Sequence, residues 1–473
     1  MSEERNEALL ATPLPPMETG LATYALRVLE STIDFVDWTV ACTPGSDPSS
    51  LPASVRTVPI DRLEEGNLPV ARIFQIGNSP HCFPVLQALY RFGGTALFHE
   101  TVIHHMLRHC YLASNRMQDY RRELVFCYGP AAEAVENDLS VGNIPAAEYD
   151  RKLKRYPLLG RALHASHSAV CLNSYAASKV RMSYPEGRVL AIGHPLSPLP
   201  ELEIHSKPFP LCFGMLGTNH PGRNLESLIE AVELLRNDFP DAGLVLIGAG
   251  YPDELPEWIR RTGRLNEREY QGWIRTLDYV FDLRHPTCGE TSGSLLEGMR
   301  AGIPSIVTAT GSFNNLPSDA VIRVPPESIV QGVREAVFML ERRPDLRNTL
   351  SNKGASYAGD TGSEERLLSD WKRVLRLARK PPVDVDNRIS ISPAWNEPPE
   401  GFTRDLNTLP VTWVFSGTAE LEGPEFSSGA LVTVWGEGTL GRIELESEPA
   451  VINHDGRTLC FSGNGYVSNV IWK

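Results

Sequence analysis

The stretch Leu211-Cys212-Phe213-Gly214-Met215-Leu216-Gly217-Thr218-Asn219-His220-Pro221-Gly222-Arg223-Asn224-Leu225 decides how the rest of the chain is read. An apolar run, Leu211–Leu216, passes through a loop of small and polar residues. A helical stripe of Leu225, Leu228, Ile229, Val232 and Leu235 begins at once. Strand, short loop and helix in that order open a βαβ unit. The first N–H groups of the helix have no partner within it, so the loop presents donors at a positive helix end, which suits phosphate oxygens. Arg223 would add a bidentate contact, while Gly222 and Asn224 also read simply as turn and cap residues.

Working forward, strands are expected at Gly243–Ile247, Tyr279–Leu283, Ser305–Thr308 and Val321–Val324, with a closing helix over Glu364–Ala378. After Tyr279–Leu283 comes Gly289-Glu290-Thr291-Ser292-Gly293-Ser294-Leu295-Leu296-Glu297-Gly298-Met299. Its small residues mark a second helix start, with Leu295, Leu296 and Met299 on the core side. Glu297, one turn in, could reach a vicinal diol such as ribose, and Glu290 could reach sugar hydroxyls. Both also read as surface or capping carboxylates.

Working backward, short apolar runs at Ala8–Ala11, Phe35–Ala41, Ile73–Gly77, Thr95–His99 and Ala169–Asn173 alternate with helical stretches. The pattern ends at the loop His194–Pro208 and restarts at Leu211. Two such halves are two parallel sheets covered by helices, and their strand ends would face a cleft. From Lys380 to about Gly401 the chain is rich in Pro and Asp. Beyond it, Val411–Phe415, Ala430–Trp435, Gly441–Leu445, Arg457–Phe461 and Tyr466–Trp472 alternate apolar and polar residues, the pattern of a small all-β module.

The full chain has 473 residues and a formal net charge of −13, which argues against a nucleic-acid partner. No apolar run approaches the roughly 18 residues of a membrane span. The N-terminus lacks the basic flank of a secretory signal, so a cytoplasmic location is expected. The eight cysteines form no CxxC pair and read as buried free thiols. The basic run Arg151-Lys152-Leu153-Lys154-Arg155 reads as a solvated helix face, with contact to an anionic membrane as the other reading. His99, His104 and His105 lie close in sequence; His99 reads as a polar cleft residue with His104 as its neighbour one turn into the following helix, and a metal site is the less favoured reading. Asp384-Val385-Asp386 resembles a metal-binding DxD, yet it falls in the Pro-rich linker.

The strings PLPPMETGLATYALRVLE, FQIGNSPHC, FHETVIHHML, PGRNLESLIEAVELL, LVLIGAG, GRLNEREYQGWI and PTCGETSGSLLEGMRAGIPSIVT, in this order, resemble the retaining family-4 glycosyltransferases of the GT-B fold (glycosyl transferases group 1). The resemblance spans nearly all of residues 8–380. It implies an α/β GT-B chain: residues 1–200 as an acceptor-side Rossmann-like domain, 201–380 as the nucleotide-sugar side, 381–401 as a linker and 402–473 as a β-rich accessory module. It implies hexosyl transfer with retention from a UDP- or GDP-type nucleotide sugar, without a cofactor or metal, to a glycan, lipid-linked or protein acceptor, as in polysaccharide biosynthesis. Peripheral membrane contact and homo-oligomerisation through the β-module are further expectations.

By the same resemblance, Arg223 stands on the donor diphosphate, and Glu290 and Glu297 match a glutamate pair whose second member binds ribose. Gly263, Arg264 and Leu265 fall where backbone groups read the base. Gly20 matches a glycine that lets the donor approach, and His99 a histidine close to the transferred sugar. His99, Arg223 and Glu290 are thus the expected catalytic residues. Gly20, Gly217, Thr218, Arg223, Arg264, Leu265, Thr291, Ser292, Gly293, Ser294 and Glu297 are the expected donor contacts. This chain departs from the family pattern twice. Six residues rather than seven separate Glu290 from Glu297, and Gly217 stands where many relatives carry an arginine. The alternatives are a non-catalytic sugar-nucleotide or glycan binder of the same fold, and a GT-B epimerase or phosphorylase.

Overall fold

The computed structural model describes residues 6–379 except 18, 129–131, 141–145, 184–187, 202 and 204, and beyond them the backbone of strands between 389 and 472. It divides into two compact units, one of Met1–Cys171, Ala176–Ala191 and Arg373–Lys473, the other of Leu172–Tyr175 and Ile192–Lys372.

In the first unit, β1 (Asn6–Thr12), β2 (Val36–Cys42), β3 (Arg56–Pro59), β4 (Ala71–Ile76), β5 (Gly94–Phe98), β6 (Ser166–Cys171) and β7 (Arg188–Ala191) form one sheet. All neighbours are parallel, in the order β3-β2-β1-β4-β5-β6-β7. In the second unit, β8 (Leu211–Leu216), β9 (Ala242–Ile247), β10 (Ile259–Gly263), β11 (Tyr279–Asp282), β12 (Ser305–Thr308) and β13 (Val321–Val324) form a second parallel sheet, β10-β9-β8-β11-β12-β13. The α/β fold is therefore two Rossmann-like sheets. Central strands such as β9 are buried along their whole length, because helices cover both faces.

The edge strands β3 and β10 and the strand β7 go beyond the strands expected from sequence, and the reason is physical. Arg56-Thr57-Val58-Pro59 and Ile259-Arg260-Arg261-Thr262-Gly263 are largely exposed, so they lack the continuous apolar run that marks a central strand. The helix Leu225–Leu235 has the expected bounds. Its buried stripe is Leu225, Leu228, Ala231, Val232 and Leu235, with Ile229 only partly covered.

The basic run lies on the helix Ala146–Arg155. Lys152 pairs with Asp138 at 2.9 Å and Lys154 with Asp150 at 2.8 Å. Arg151 and Arg155 are the exposed members. All cysteines among the described residues are free, with Cys82, Cys171, Cys212 and Cys288 buried. No described helix is long and apolar enough to cross a membrane.

Beyond residue 388, β14 (Ile389–Ile391), β15 (Phe402–Asp405), β16 (Thr412–Glu422), β17 (Leu431–Trp435), β18 (Val451–Ile452) and β19 (Thr458–Trp472) make an antiparallel sheet in the order β14-β19-β16-β15, with β17 and β18 also pairing with β19. The expected strands Arg457–Phe461 and Tyr466–Trp472 are one continuous strand from Thr458, and Gly441–Leu445 and Asp384–Asp386 lie outside the described residues.

Candidate functional site

In the second sheet, β8 and β11 are neighbours at the point where strand order reverses, and the crevice beyond such a point is where open α/β sheets bind ligands. The two loops leaving these strands are tied to their surroundings. Gly217, with φ +94°, donates its N–H to Ile247 O at 2.8 Å, and Asn219 N donates to Ala249 O at 2.9 Å. A Cβ on Gly248 would lie 2.3 Å from Gly217 O, so glycine is required for the loops to meet. Asn224 takes a left-handed φ of 53° at the helix entrance. Its Nδ2 donates to Leu283 O at 2.6 Å and His285 O at 3.1 Å, joining the β8 loop to the β11 loop.

Beneath these loops is a buried ionic network. Arg223 is 1% exposed. Its Nη1 donates to Leu216 O, and its Nη2 donates to Asp282 Oδ1 at 3.3 Å. Arg284 donates from Nε to Asp282 Oδ1 at 2.9 Å, from Nη1 to Glu290 Oε1 at 3.0 Å and from Nη2 to Ser292 Oγ at 3.1 Å. Two arginines and two carboxylates thus balance. Burial acts to raise the Asp282 carboxyl, but Arg284 and Arg223 hold it below the ordinary carboxylate value. Glu290 follows the same logic. Burial opposes its charge, while Arg284 and hydrogen bonds that include one from Thr287 keep the carboxyl low.

The geometry defines the surroundings of two of the expected site residues. Arg223 does not reach outward from the helix start. It turns under the loop, because the carbonyls of Leu216 and Thr218 and the Asp282 carboxylate satisfy it there. Glu290 Oε2 accepts from Cys288 N at 2.7 Å and Thr287 Oγ1 at 3.0 Å, so its carboxylate holds its own turn together.

The helix Gly293–Arg300 starts at this network. Ser292 caps it, its Oγ accepting from Leu295 N at 3.2 Å and donating to Asp282. Thr291 Oγ1 donates to Leu172 O at 2.9 Å and accepts from Asn173 Nδ2 at 2.9 Å. The hydroxyls of Thr291 and Ser292 are therefore both hydrogen-bonded inside the protein. The Gly293 and Ser294 amides have no intrahelical acceptor. Glu297, on the same helix, accepts from Gln271 Nε2 at 2.7 Å and from Arg300. Burial raises its carboxyl, with Arg300 opposing. Gly263 ends β10 with φ +71°, which leaves Arg264 exposed and Leu265 partly buried at the same end of the sheet.

In the first unit the equivalent reversal lies between β1 and β4. The helix Gly20–Thr32 begins there, capped by Thr19. Gln75 on β4 accepts from Thr12 Oγ1 at 3.2 Å and donates to Leu21 O at 2.8 Å, which fixes the helix start to both strands. His99 follows β5, its N–H bonded to Ile76 O at 2.9 Å, and its ring meets Tyr24 edge-on with centroids 4.8 Å apart. Thus Gly20's helix and His99 come together within this unit. His104, expected as the neighbour of His99, instead points into the core. It is 0% exposed, with Nδ1 at 2.6 Å from Tyr156 O and Nε2 at 2.7 Å from Tyr120 Oη, and burial pushes its pKa down to about 3. His105 pairs with Asp150 at 3.0 Å. Among the described residues no group of three or more His, Cys, Asp or Glu side chains could hold a metal.

No family model and no curated protein matches the sequence. Solved structures do. Sucrose-phosphate synthase from Thermosynechococcus elongatus matches 79% of this chain and 98% of its own at 12% identity, with a TM-score of 0.54. Anabaena HepE in complex with UDP-glucose matches 78% of this chain and 99% of its own at 11% identity and a TM-score of 0.49. The chain has the GT-B fold.

Sequence reasoning missed Asp282 and Arg284. Both sit in Phe281-Asp282-Leu283-Arg284-His285, and an acid in the last position of a buried strand, two residues before an arginine, was the available signal. A charge at a buried strand end needs a partner nearby.

Proposed function

We propose that this chain is a glycosyltransferase of the family-4 type, moving a hexose-type sugar from a nucleotide-sugar donor to a glycan, lipid-linked or protein acceptor with retention of configuration. The observation that carries the reading is the pairing, at the β8/β11 strand reversal, of the Gly217–Asn224 loop with the open N-terminus of the helix Gly293–Arg300. A helix N-terminus at such a point is suited to a diphosphate. As the sugar–phosphate bond breaks, negative charge grows on the leaving diphosphate. The fixed Gly293 and Ser294 amides stabilise that charge without reorganisation, and no metal is needed. Gly217 and Thr218 line the same loop. Arg223 and Glu290 act from below by holding the site's shape and field. Glu297 takes the ribose, and Gly263, Arg264 and Leu265 take the base. In the first unit, Gly20 and His99 serve the transferred sugar and its acceptor.

The domain reading is 1–200 and 201–380 as the two Rossmann-like domains, 381–401 as linker, and 402–473 as a module for acceptor or partner binding, homo-oligomerisation included. A cytoplasmic protein with peripheral membrane contact through Arg151 and Arg155 fits this role.

A screen of UDP-, GDP-, ADP- and dTDP-sugars, read as nucleoside diphosphate release with and without EDTA, tests the proposal. Release from one donor, undiminished by EDTA, supports it. Absence of both binding and release across the library removes it. The balanced charges of the Arg223–Asp282–Arg284–Glu290 network favour one second reading, a sugar-nucleotide binder without turnover. Tight donor binding with no release would select that reading.

A further inference from the structure

The Glu297 carboxylate is held unevenly. Two donors reach it, and both land on the same oxygen. Gln271 Nε2 donates to Oε2 at 2.7 Å, and Arg300 Nη2 donates to Oε2 as well. A carboxylate oxygen offers about two acceptor positions, so Oε2 is filled. No donor among the described residues bonds Oε1, and the side chain keeps 13% of its surface exposed. Oε1 is therefore the oxygen left for a ligand.

Each donor is fixed in turn. Gln271 sits on the helix Glu267–Ile274, which Asn266 caps directly after Leu265. It is 0% exposed. Its Nε2 also donates to Glu267 Oε1 at 3.1 Å, so one amide NH2 stands between two carboxylates. That arrangement sets the amide, because a reversed amide would turn its oxygen toward both carboxylates with nothing to donate. The same orientation leaves Gln271 Oε1 buried without a hydrogen-bond partner among the described residues. An unmet buried acceptor is costly, and an apolar side chain would fill the position without that cost. Packing alone gives no reason for glutamine here, whereas holding Glu297 does. Arg300 lies three residues beyond Glu297 on its helix, and its Nη1 donates to Ser197 O, which anchors the guanidinium from outside that helix. Burial pushes the Glu297 carboxyl up, and Arg300 and Gln271 work against this, so both donors also favour the charged form, the stronger acceptor.

We propose that Gln271 and Arg300 are positioning residues for nucleotide selection: by holding Oε2 of Glu297 they leave Oε1 to accept from the hydroxyls of the donor's ribose. This rests on the reading of Glu297 as the ribose contact given above. Because Gln271 belongs to the helix that follows Gly263–Leu265, it also joins the base side of the site to the ribose side.

Titration calorimetry on the full chain compares whichever of UDP, GDP, ADP or dTDP the parent binds best with its 2′,3′-dideoxy form. The parent is expected to prefer the hydroxylated form by about tenfold or more, the size of a hydrogen bond to a charged group. Gln271→Met keeps the length of the side chain and removes the donor, and Arg300→Met removes the other. Each should cut the preference to about threefold or less, while binding of the dideoxy form stays within about twofold of the parent's. Either variant serves if the other does not fold. An equal loss for both nucleotides would make the residue merely structural, and a folded variant with the parent's full preference would remove it from the role; both outcomes overturn the proposal. Glu297→Gln separates this from the reading beneath it. If that variant loses the preference while Gln271→Met and Arg300→Met keep it, the ribose contact stands and the positioning role falls. A parent that binds none of the four, or has no preference, or whose preference survives Glu297→Gln, would instead overturn the reading of Glu297 itself.

Discussion

The ends of the two parallel sheets are built from different chemistry. At the β8/β11 reversal, buried charges do the holding: Arg223 and Arg284 against Asp282 and Glu290, with Ser292 between them. At the β1/β4 reversal the holding is by the Thr12 hydroxyl and the Gln75 amide, with the rings of Tyr24 and His99 packed edge-on. A charged network in low dielectric is rigid but intolerant, because removing one member strands its partners. A neutral one tolerates change and can follow a variable ligand. On the function proposed above, the same fold carries a fixed anion site on one sheet and a more adaptable surface on the other.

The sharpest way to break that contrast is Asp282→Ala. The change leaves two buried guanidinium groups facing each other without their shared carboxylate. A loss of about 3–5 kcal/mol in the stability of the second unit is expected. Urea unfolding followed by tryptophan fluorescence measures it, and a loss below about 1 kcal/mol would show that the network is not what holds these loops.

Acid should separate the two units next. His104 is buried neutral with a folded pKa of about 3. A group whose folded value is depressed contributes stability that is present above its unfolded value and lost as pH falls toward the folded one. For His104 the loss starts near an unfolded value of about 6.5 and amounts to about 2 kcal/mol by a pH of about 5. Asp282 and Glu290 are also depressed, but from unfolded values of about 4, so their contribution survives until the pH falls below that. The first unit should therefore weaken between neutral pH and pH of about 5, while the second holds. Glu123, whose carboxyl burial raises, acts in the opposite sense within the first unit. The variant His104→Gln isolates the histidine. Its melting temperature should change less than the parent's on acidification, and an equal change would remove His104 as the cause.

Gly217→Ala probes the rigid end more gently. At φ +94° a side chain is strained, and its Cβ would stand 3.1 Å from Arg223 Nη1. A stability loss of about 1–2 kcal/mol with weaker nucleoside diphosphate binding is expected, measured by thermal unfolding and calorimetry. Unchanged binding would separate this loop from the donor. The position also explains a departure seen in sequence. Where an additional arginine would extend, the Arg223 guanidinium already lies, so a glycine is what the packing permits.

How much of this was legible in sequence depends on whether the signal was local. The strands Leu211–Leu216, Ser305–Thr308 and Val321–Val324 and the helices Leu225–Leu235 and Glu364–Ala378 have the bounds that their apolar spacing indicates. Exposed edge strands such as Arg56–Pro59 leave no such trace. Within the site, Gly293, Ser294 and the helix start were visible as small residues after a strand. The inward turn of Arg223 was not, because it depends on Asp282, a partner 59 residues away in sequence. His104 and His99 look alike in the string FHETVIHHML, and only the tertiary positions of Tyr120 and Tyr156 assign one to the core. Charge and periodicity announce elements, whereas pairing across the chain decides which way a polar side chain faces.

The smallest expected effect on stability is at the tolerant end, and it is the most informative about function. Gly20 is the first residue of the helix Gly20–Thr32, and a Cβ built on it meets nothing within 4 Å. Its φ is not in the left-handed region, so alanine fits without strain. Alanine is also the better helix former, and Gly20→Ala should leave thermal stability unchanged or raise it by a few tenths of a kcal/mol, up to about 1. The fold therefore gives no reason for glycine here. If the donor's sugar or the acceptor approaches this backbone, the added methyl group occupies the space it needs, and turnover should fall about tenfold or more with the protein's melting point intact. The pair of measurements, unfolding temperature and donor turnover on one variant, distinguishes a ligand-driven glycine from an incidental one. A Gly20→Ala chain with parental stability and parental turnover would show that no ligand comes close to this helix start, and the adaptable surface would then have to lie elsewhere on the first sheet.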